Sequence, residues 1–396
     1  MPAGPLSDVT VLDLGQIYNG PYATLLLALA GAKVIKVEPP SGEHLRSRGK
    51  VAGAGSPFAM LNSNKLAVTL NLKHPEGIAL LERMASRVDV LVENFRPGVM
   101  DRLGIGSVRL RELNPMLVYA AGSGYGSTGP YRDFPAMDLT IQAMSGAMAV
   151  TGFPDREPVK AGPAIGDFLG GIHLYGAIVT ALYQRAKTGV GTFVEVAMLD
   201  AVYPSLMSSL GLFFGATGDI PTRTGNRHSG LAESPYNVFP ARDGDIALIC
   251  VSDNHWKSLT RAMGKPELGD RVEYATRVAR VEQMDEIDEL VRNWTQQFDK
   301  AELAEQLRAA GVPCAPVREI AEVVADPHLR GRGMVREIDH PEFGRLIVPH
   351  SPLHVGSFDA ELVPSPTLGQ HNEAVYGDLL GLDAQAVGAL HERGVI

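Results

Sequence analysis

At 396 residues, 45% of them hydrophobic and 20% charged, the chain carries enough apolar content to bury a core and is too long for one, because single cores stop growing near roughly 250–300 residues. A formal net charge of −9 gives no positive field to draw in a phosphate backbone, which excludes nucleic acid as an expected partner. Cys250 and Cys314, the only cysteines, are too few for a disulfide framework or a cysteine-rich zinc site, residues 1–8 lack the regions of a secretion signal, and no apolar run reaches membrane-span length; we expect a soluble, cytoplasmic protein with no membrane partner.

Val9 to Leu14 reads as a short strand, Pro21 to Ala30 as a helix ended by Gly31, and Lys33 to Val37 as a second strand, which makes one βαβ unit. Ala67 to Leu70 is a further strand, Pro75 to Arg87 a helix with Pro at its first turn, and Val88 to Val92 and Met116 to Ala121 two more strands. This alternation predicts an α/β chain with a mostly parallel, doubly wound, Rossmann-like sheet. Phe168 to Lys187 gives a long helix, Gly191 to Ala197 a strand, and Leu199 to Phe214 an apolar helix. The composition then shifts over residues 215–230, a domain boundary. A strand over 244–251, two amphipathic helices between Val281 and Ala310, and a return through 311–317 describe a smaller α+β unit. Segments 333–335 and 346–348 are expected to add strands to the first domain. The division is therefore 1–214 for the large domain, completed by 326–396, and 225–325 for the small one.

Gly124-Tyr125-Gly126-Ser127-Thr128-Gly129 matches the dinucleotide-binding pattern, yet Pro130 and Pro135 follow it where that fingerprint needs a helix. We read it as a glycine-rich turn. No nucleophile elbow, phosphate loop or zinc-protease helix is present, and the eleven histidines lack ligand spacing, so no metal is expected. Lys33, Lys36, Lys65, Lys73, Arg96 and Arg102 lie near strand ends and loops of the first domain; surface solvation explains most such charges, but strand-end loops are where α/β folds bind ligands, which leaves a phosphate-bearing ligand open. Asp167 stands in VKAGPAIGDFLGGIH (residues 159–173), at the mouth of the long apolar helix. Such a carboxylate serves either as an N-cap, accepting from free first-turn amides, or as a nucleophile that attacks an activated acyl group to form an anhydride. Local sequence leaves both open.

The segments taken together resemble the class III CoA-transferase family, which holds formyl-CoA transferase, carnitine CoA-transferase and α-methylacyl-CoA racemase. The resemblance rests on Val11-Leu12-Asp13 with Gly20-Pro21, LAGAKVIKVE (29–38), Asn64-Lys65, LNLK (70–73), VENFRPG (92–98), DRLG (101–104), Gly166-Asp167, MLDA (198–201), GVPC (311–314) and Asp326-Pro327, and runs nearly end to end. It implies a Rossmann-like large domain with a smaller inserted domain, two chains interlocked as a homodimer, Asp167 as nucleophile with helix amides favouring its ionised form, and CoA held by Tyr18, Asn19, Leu70, Asn71, Leu72, Lys73, Asn94, Phe95, Arg96 and Arg102. Coenzyme A and acyl-CoA then enter as substrates, with no permanently bound cofactor.

Some positions depart from the formyl-CoA transferase pattern. Tyr18 stands for a Gln, Pro39 for an Arg, and Phe134 and Ala136 for a Lys and a Tyr, which points away from formyl-CoA and oxalate. Met137-Asp138 replaces the His-Asp pair of the racemases and removes a proton carrier they need. The expected activity is transfer of CoA from an acyl-CoA to a free acid through an aspartyl anhydride and an aspartyl-CoA thioester, with oxyanion support from amides near Gly170-Gly171 or from amides of the small domain. Arg223, Arg227 and His228 are expected either to bind the second carboxylate of a small dicarboxylic acid such as succinate, itaconate or mesaconate, or to form an ordinary hinge with solvated arginines. The alternatives are an isomerase working by α-proton transfer and a non-catalytic acyl-CoA-binding protein.

Overall fold

The computed structural model describes residues 4–48 and 56–396; Met1 to Ala3 of the opening stretch lie outside them. The chain divides into two compact units, a larger one from Met1–Gln142, Pro163–Val202 and Asp326–Ile396, and a smaller one from Ala143–Gly162 and Tyr203–Ala325.

In the larger unit, strands β1 (Thr10–Asp13), β2 (Lys33–Glu38), β3 (Lys65–Thr69), β4 (Val90–Glu93), β5 (Val118–Ser123) and β6 (Phe193–Ala197) form one sheet in the order β3-β2-β1-β4-β5-β6. All five pairings are parallel. Parallel strands covered on both faces read as continuous apolar runs, and alternate residues feed opposite sides: Leu12, Ile35 and Leu91 join one buried cluster, Val11, Val34 and Val90 the other. Helix α1 (Asn19–Leu29) packs on the second face with α3 (Ile165–Thr188), and α2 (Pro75–Ala85) on the first. His74 caps α2 by accepting from the Glu76 amide, with Pro75 next in its first turn, where a missing N–H costs nothing. The strand order reverses between β1 and β4, and ligands of open α/β sheets bind beyond the carboxyl ends of the strands at such a switch point.

Four expectations are corrected. Leu199 to Phe214 is not one helix: Met198–Val202 is followed by a 3-10 turn at Tyr203–Leu206 and a separate helix Met207–Gly215, because Pro204 cannot continue an α-helical ladder. The break coincides with the border of the units, so the larger unit closes at Val202 rather than 214. Helix α3 is long and apolar enough to cross a membrane by length and composition, but Leu174, Ile178, Ala181 and Leu182 seat it in the buried cluster with Val11 and Val90, as a core helix.

The late strands do not extend the large sheet. Among the described residues β10 (Val335–His340) and β11 (Gly344–Pro349) pair only with each other. The edge strand β3 is occupied instead by side chains: the Ala67 amide donates to His371 Nδ1, the Thr69 amide to Asn372 Oδ1, and Tyr376 Oη to the Thr69 carbonyl. These partners satisfy an edge that would otherwise present open hydrogen-bonding groups.

The smaller unit is built on the antiparallel order of β7 (Tyr236–Ala241), β8 (Gly244–Ile249) and β9 (Cys314–Pro316). Phe239, Trp256, Ile287, Val291 and Leu303 fill its core. The sequence reading omits β7; its Pro240 marks an edge strand, the place in a sheet that tolerates a missing donor.

Candidate active site

Asp167 lies in the first turn of α3, but it is not the cap. The N-cap is Ala164, with no side-chain cap hydrogen bond. Asp138 takes that role from outside the helix: its Oδ1 accepts from the Gly166 amide at 2.8 Å and the Asp167 amide at 3.4 Å, while Gln142 Nε2 donates to Oδ2 at 2.7 Å. The Asp167 carboxylate is thereby released from capping, and among the described residues neither of its oxygens has a hydrogen-bond partner. It is 8% exposed and lines a cavity of about 240 Å³. Burial first, and the Asp138 charge second, push its pKa up to about 7. The expectation that helix amides favour the ionised form is therefore corrected, because Asp138 has taken those amides and adds a like charge beside the group.

The cavity sits at the switch point. Its walls come from the segments after β1 (Gln16, Ile17, Asn19), after β4 (Asn94, Phe95, Arg96) and after β5 (Gly122 to Tyr125), with Phe134 and Met137 opposite. The side-chain amide of Asn19 is wedged between two helix- and strand-borne glycines. A Cβ on Gly122 would stand 2.3 Å from Asn19 Oδ1 and one on Gly170 would stand 2.2 Å from Nδ2, so both positions exclude any side chain. Asn19 Nδ2 donates to the Asp167 carbonyl at 3.4 Å, which ties the first turn of α1 to that of α3.

Gly170 and Gly171 thus serve close packing of α1 on α3. Both lie inside the helix, where their amides belong to the i→i−4 ladder, and this corrects the expectation that they line an oxyanion hole.

The loop over residues 15–18 is held from beneath. Asn94 Oδ1 accepts from the Gln16 amide at 2.7 Å and its Nδ2 donates to the Gln16 carbonyl at 2.9 Å. Lys36 Nζ donates to the Gly15 carbonyl, and Glu43 accepts from the amide of Ile17, whose φ is +63°. A β-branched residue in that left-handed region is strained and persists only where its surroundings fix it.

Below the loop, Asp13 binds Lys65 Nζ at 2.9 Å and the Thr24 hydroxyl at 2.7 Å, with both ionic side chains 0% exposed. Burial alone would raise the Asp13 carboxyl; the ammonium groups of Lys65 and Lys36 hold it below its ordinary value. Lys36 and Lys65, expected to be solvated surface charges or ligand contacts near strand ends, are accordingly structural, with 1% and 3% of their surface exposed.

The remaining expected residues divide. Tyr18 stacks on Phe168, the neighbour of Asp167, at 6.0 Å. Phe95 and Arg96 line the cavity, and Arg102 and Lys73 are exposed. Leu70 is a core residue at 1% exposure, with Leu72 packed against the same cluster. Asn71 spends its amide on the Gly394 carbonyl and its oxygen on the Lys73 amide. In the smaller unit Arg223 donates to the carbonyls of Phe153, Ala149 and Arg156. Arg227 is paired with Asp285 at 2.6 Å and Asp288 at 2.7 Å, and His228 Nδ1 accepts from the Gly230 amide. The donors expected to hold a second carboxylate are engaged within their own unit. Sequence reading missed Asp138 as the cap of α3, although its place three residues past Pro135 was visible, and Arg132 on the cavity wall.

The chain is similar to known proteins over nearly its whole length. A family model described as CoA-transferase family III matches residues 6–372. A formyl-CoA:oxalate CoA-transferase of Streptomyces avermitilis is 38% identical, covering 99% of both chains. A succinyl-CoA–D-citramalate CoA-transferase of Chloroflexus aurantiacus is 37% identical over 100% of this chain and 99% of its own. Among solved structures, a CAIB/BAIF family protein from Brucella suis superposes with a TM-score of 0.82 at 34% identity, covering 96% of this chain and 100% of that one. A family match spanning the sheet, the Asp167 cavity and most of both units leaves one conclusion, that this chain belongs to CoA-transferase family III.

Proposed function

We propose that the chain moves CoA from an acyl-CoA to a small dicarboxylic acid through covalent intermediates on Asp167. The observation that carries this reading is a carboxylate relieved of capping by Asp138 and set in the wall of a cavity. Asp167 attacks the thioester carbonyl, and CoA thiolate leaves to give a mixed anhydride. The thiolate then attacks the aspartyl carbonyl, which releases the donor acid and leaves an Asp167-CoA thioester. The acceptor carboxylate attacks that thioester, expelling the thiolate and forming a second anhydride; the thiolate finally attacks the acceptor's acyl carbon and returns Asp167 as a carboxylate. Each step exchanges one acyl bond for another, the advantage of covalent catalysis.

A dicarboxylic acceptor is supported by relatives named for oxalate and citramalate, and for glutarate in Agrobacterium fabrum at 33% identity. The reading includes a cytoplasmic homodimer with interlocked chains. In support of a partner, helix Met207–Gly215 buries none of its residues and leaves Met207, Phe213 and Phe214 71%, 68% and 78% exposed, an apolar surface of the kind that marks protein association.

Intact mass after mixing the protein with succinyl-CoA tests the chemistry. A CoA adduct that maps to Asp167 and is discharged by hydroxylamine is expected; unmodified protein that exchanges the substrate's α-proton with deuterated water would replace transfer with isomerisation. The pH profile is a second test. Only ionised Asp167 attacks, so kcat/KM for the donor is expected to fall as pH drops through about 7. In Asp138→Asn, which keeps an oxygen for the Gly166 amide but removes the like charge, that acidic limb moves to lower pH.

A further inference from the structure

The backbone of Asp167 is held on both sides of its Cα. Its amide donates to Asp138 Oδ1 at 3.4 Å, and its carbonyl accepts from Asn19 Nδ2, also at 3.4 Å. A helical carbonyl gives one lone pair to the amide four residues on and keeps a second, and Asn19 takes that second one. The Asp167 carboxylate has no hydrogen bond of its own among the described residues, so its place in the cavity wall is set by the backbone that carries it.

The Asn19 carboxamide is itself fixed. It belongs to a residue 3% exposed, and a Cβ on Gly122 would stand 2.3 Å from its Oδ1 and one on Gly170 2.2 Å from its Nδ2. Glycines of β5 and α3 therefore close on its two edges and leave it no room to turn. Oδ1 is buried without a hydrogen-bond partner, a state that costs about 1–3 kcal/mol. The two ends of one amide cannot be oriented separately: donating to the Asp167 carbonyl turns the oxygen toward Gly122, which has no donor for it. A small apolar side chain in the same gap would avoid that cost, so the stranded oxygen points to the donating end as the part the site requires. Asn19 also follows directly on the loop over residues 15–18, which Asn94, Lys36 and Glu43 hold. Buried side chains, a fixed loop and the nucleophile's backbone thus form one line of support.

We infer that Asn19 is a positioning residue for Asp167, setting the carboxylate for attack by fixing the carbonyl of the same residue. This rests on the CoA-transfer reading above. Reacting groups need placement to within about 0.5 Å, and a misplacement of about 1 Å can cost a hundredfold in rate.

The test is the single-turnover rate at which the Asp167-CoA thioester forms from succinyl-CoA, read by intact mass in quenched samples, with Tm and calorimetric CoA affinity measured alongside. The proteins are the unmodified full chain, Gly170→Ala, Asn19→Ala and the double variant. Gly170→Ala drives a Cβ into the amide and is expected to lose both Tm and rate. In the double variant that Cβ enters space the amide has vacated; the next neighbour, Met198 Cγ at 3.0 Å, sits on a side chain flexible enough to give way. Its Tm is expected to recover above that of Gly170→Ala while thioester formation stays roughly 10–100-fold slow, with CoA affinity unchanged. The inference is overturned if the double variant regains the unmodified rate along with its Tm, because the amide then serves packing alone. It is also overturned if Asn19→Ala weakens CoA binding yet forms the thioester at the unmodified rate, because the residue then holds ligand rather than Asp167. Failure of the transfer reading looks different: the unmodified protein would then form no adduct on Asp167.

Discussion

Asp167→Ala is expected to lower CoA exchange by at least about a thousandfold, the scale on which loss of a covalent nucleophile acts, while the folded protein still binds CoA. The measurement is isotope exchange between labelled succinate and succinyl-CoA, alongside CoA titration; exchange within tenfold of the unmodified rate would remove Asp167 from the chemistry. The Asn variant carries a second consequence. Burial and then Asp138 raise the Asp167 pKa from 3.8 to about 7, so between those values the folded state binds more protons than the unfolded one. Stability is therefore lost as pH rises through that window, by up to about 4 kcal/mol for a shift of this size. Asp167→Asn removes the titration, and its Tm is expected to fall less between pH 5 and pH 8 than that of the unmodified chain. The nucleophile is held at a cost to the fold, as active-site groups often are.

Lys65→Ala is expected to destabilise the larger unit by about 3–5 kcal/mol, the usual consequence of stranding one partner of a buried ion pair. Lys65 contacts Asp13, the Pro21 carbonyl, the Thr24 hydroxyl and Asn62 Oδ1, all at 2.8–3.0 Å. Its removal leaves Asp13 buried and beside Lys36 alone. Scanning calorimetry is expected to register a Tm loss of roughly 6–15 °C. The double variant Asp13→Asn with Lys65→Met is expected to lose less than Lys65→Ala alone, since it abolishes the stranded charge. A Tm loss under 2 °C for Lys65→Ala would mean that water or a neighbour compensates Asp13 after all.

The parallel sheet was legible because its strands announce themselves locally: Val90, Leu91 and Val92 are buried on both faces, and the helices between strands carry Gly or Pro punctuation at Gly31 and Pro75. The position of Asp167 at a helix start was legible for the same reason. What the residue does there was not, because the competing cap lies 29 positions away at Asp138 and no local pattern reports a hydrogen bond of that span. Lys36 and Lys65 misled for a related reason. A lysine in a strand reads as surface, and only the fold brings Glu43 and the Gly15 carbonyl to Lys36 and Asp13 to Lys65. The late hairpin of β10 and β11 was assigned to the large sheet because strand propensity says that a segment pairs and is silent on what it pairs with. Arg223 and Arg227 looked like free cations for the same want of long-range information, their carbonyl and carboxylate partners lying as much as 74 residues distant.

The covering of edge strand β3 has a consequence during synthesis. Thr69 waits for Asn372, a residue 303 positions later, and at about 5–20 residues per second roughly 15–60 s separate the two on the ribosome. Throughout that interval the nascent chain carries an open, apolar sheet margin, while the inserted unit, complete by Ala325, is free to fold behind it. Slowed translation of the last 70 or so codons would prolong this exposure.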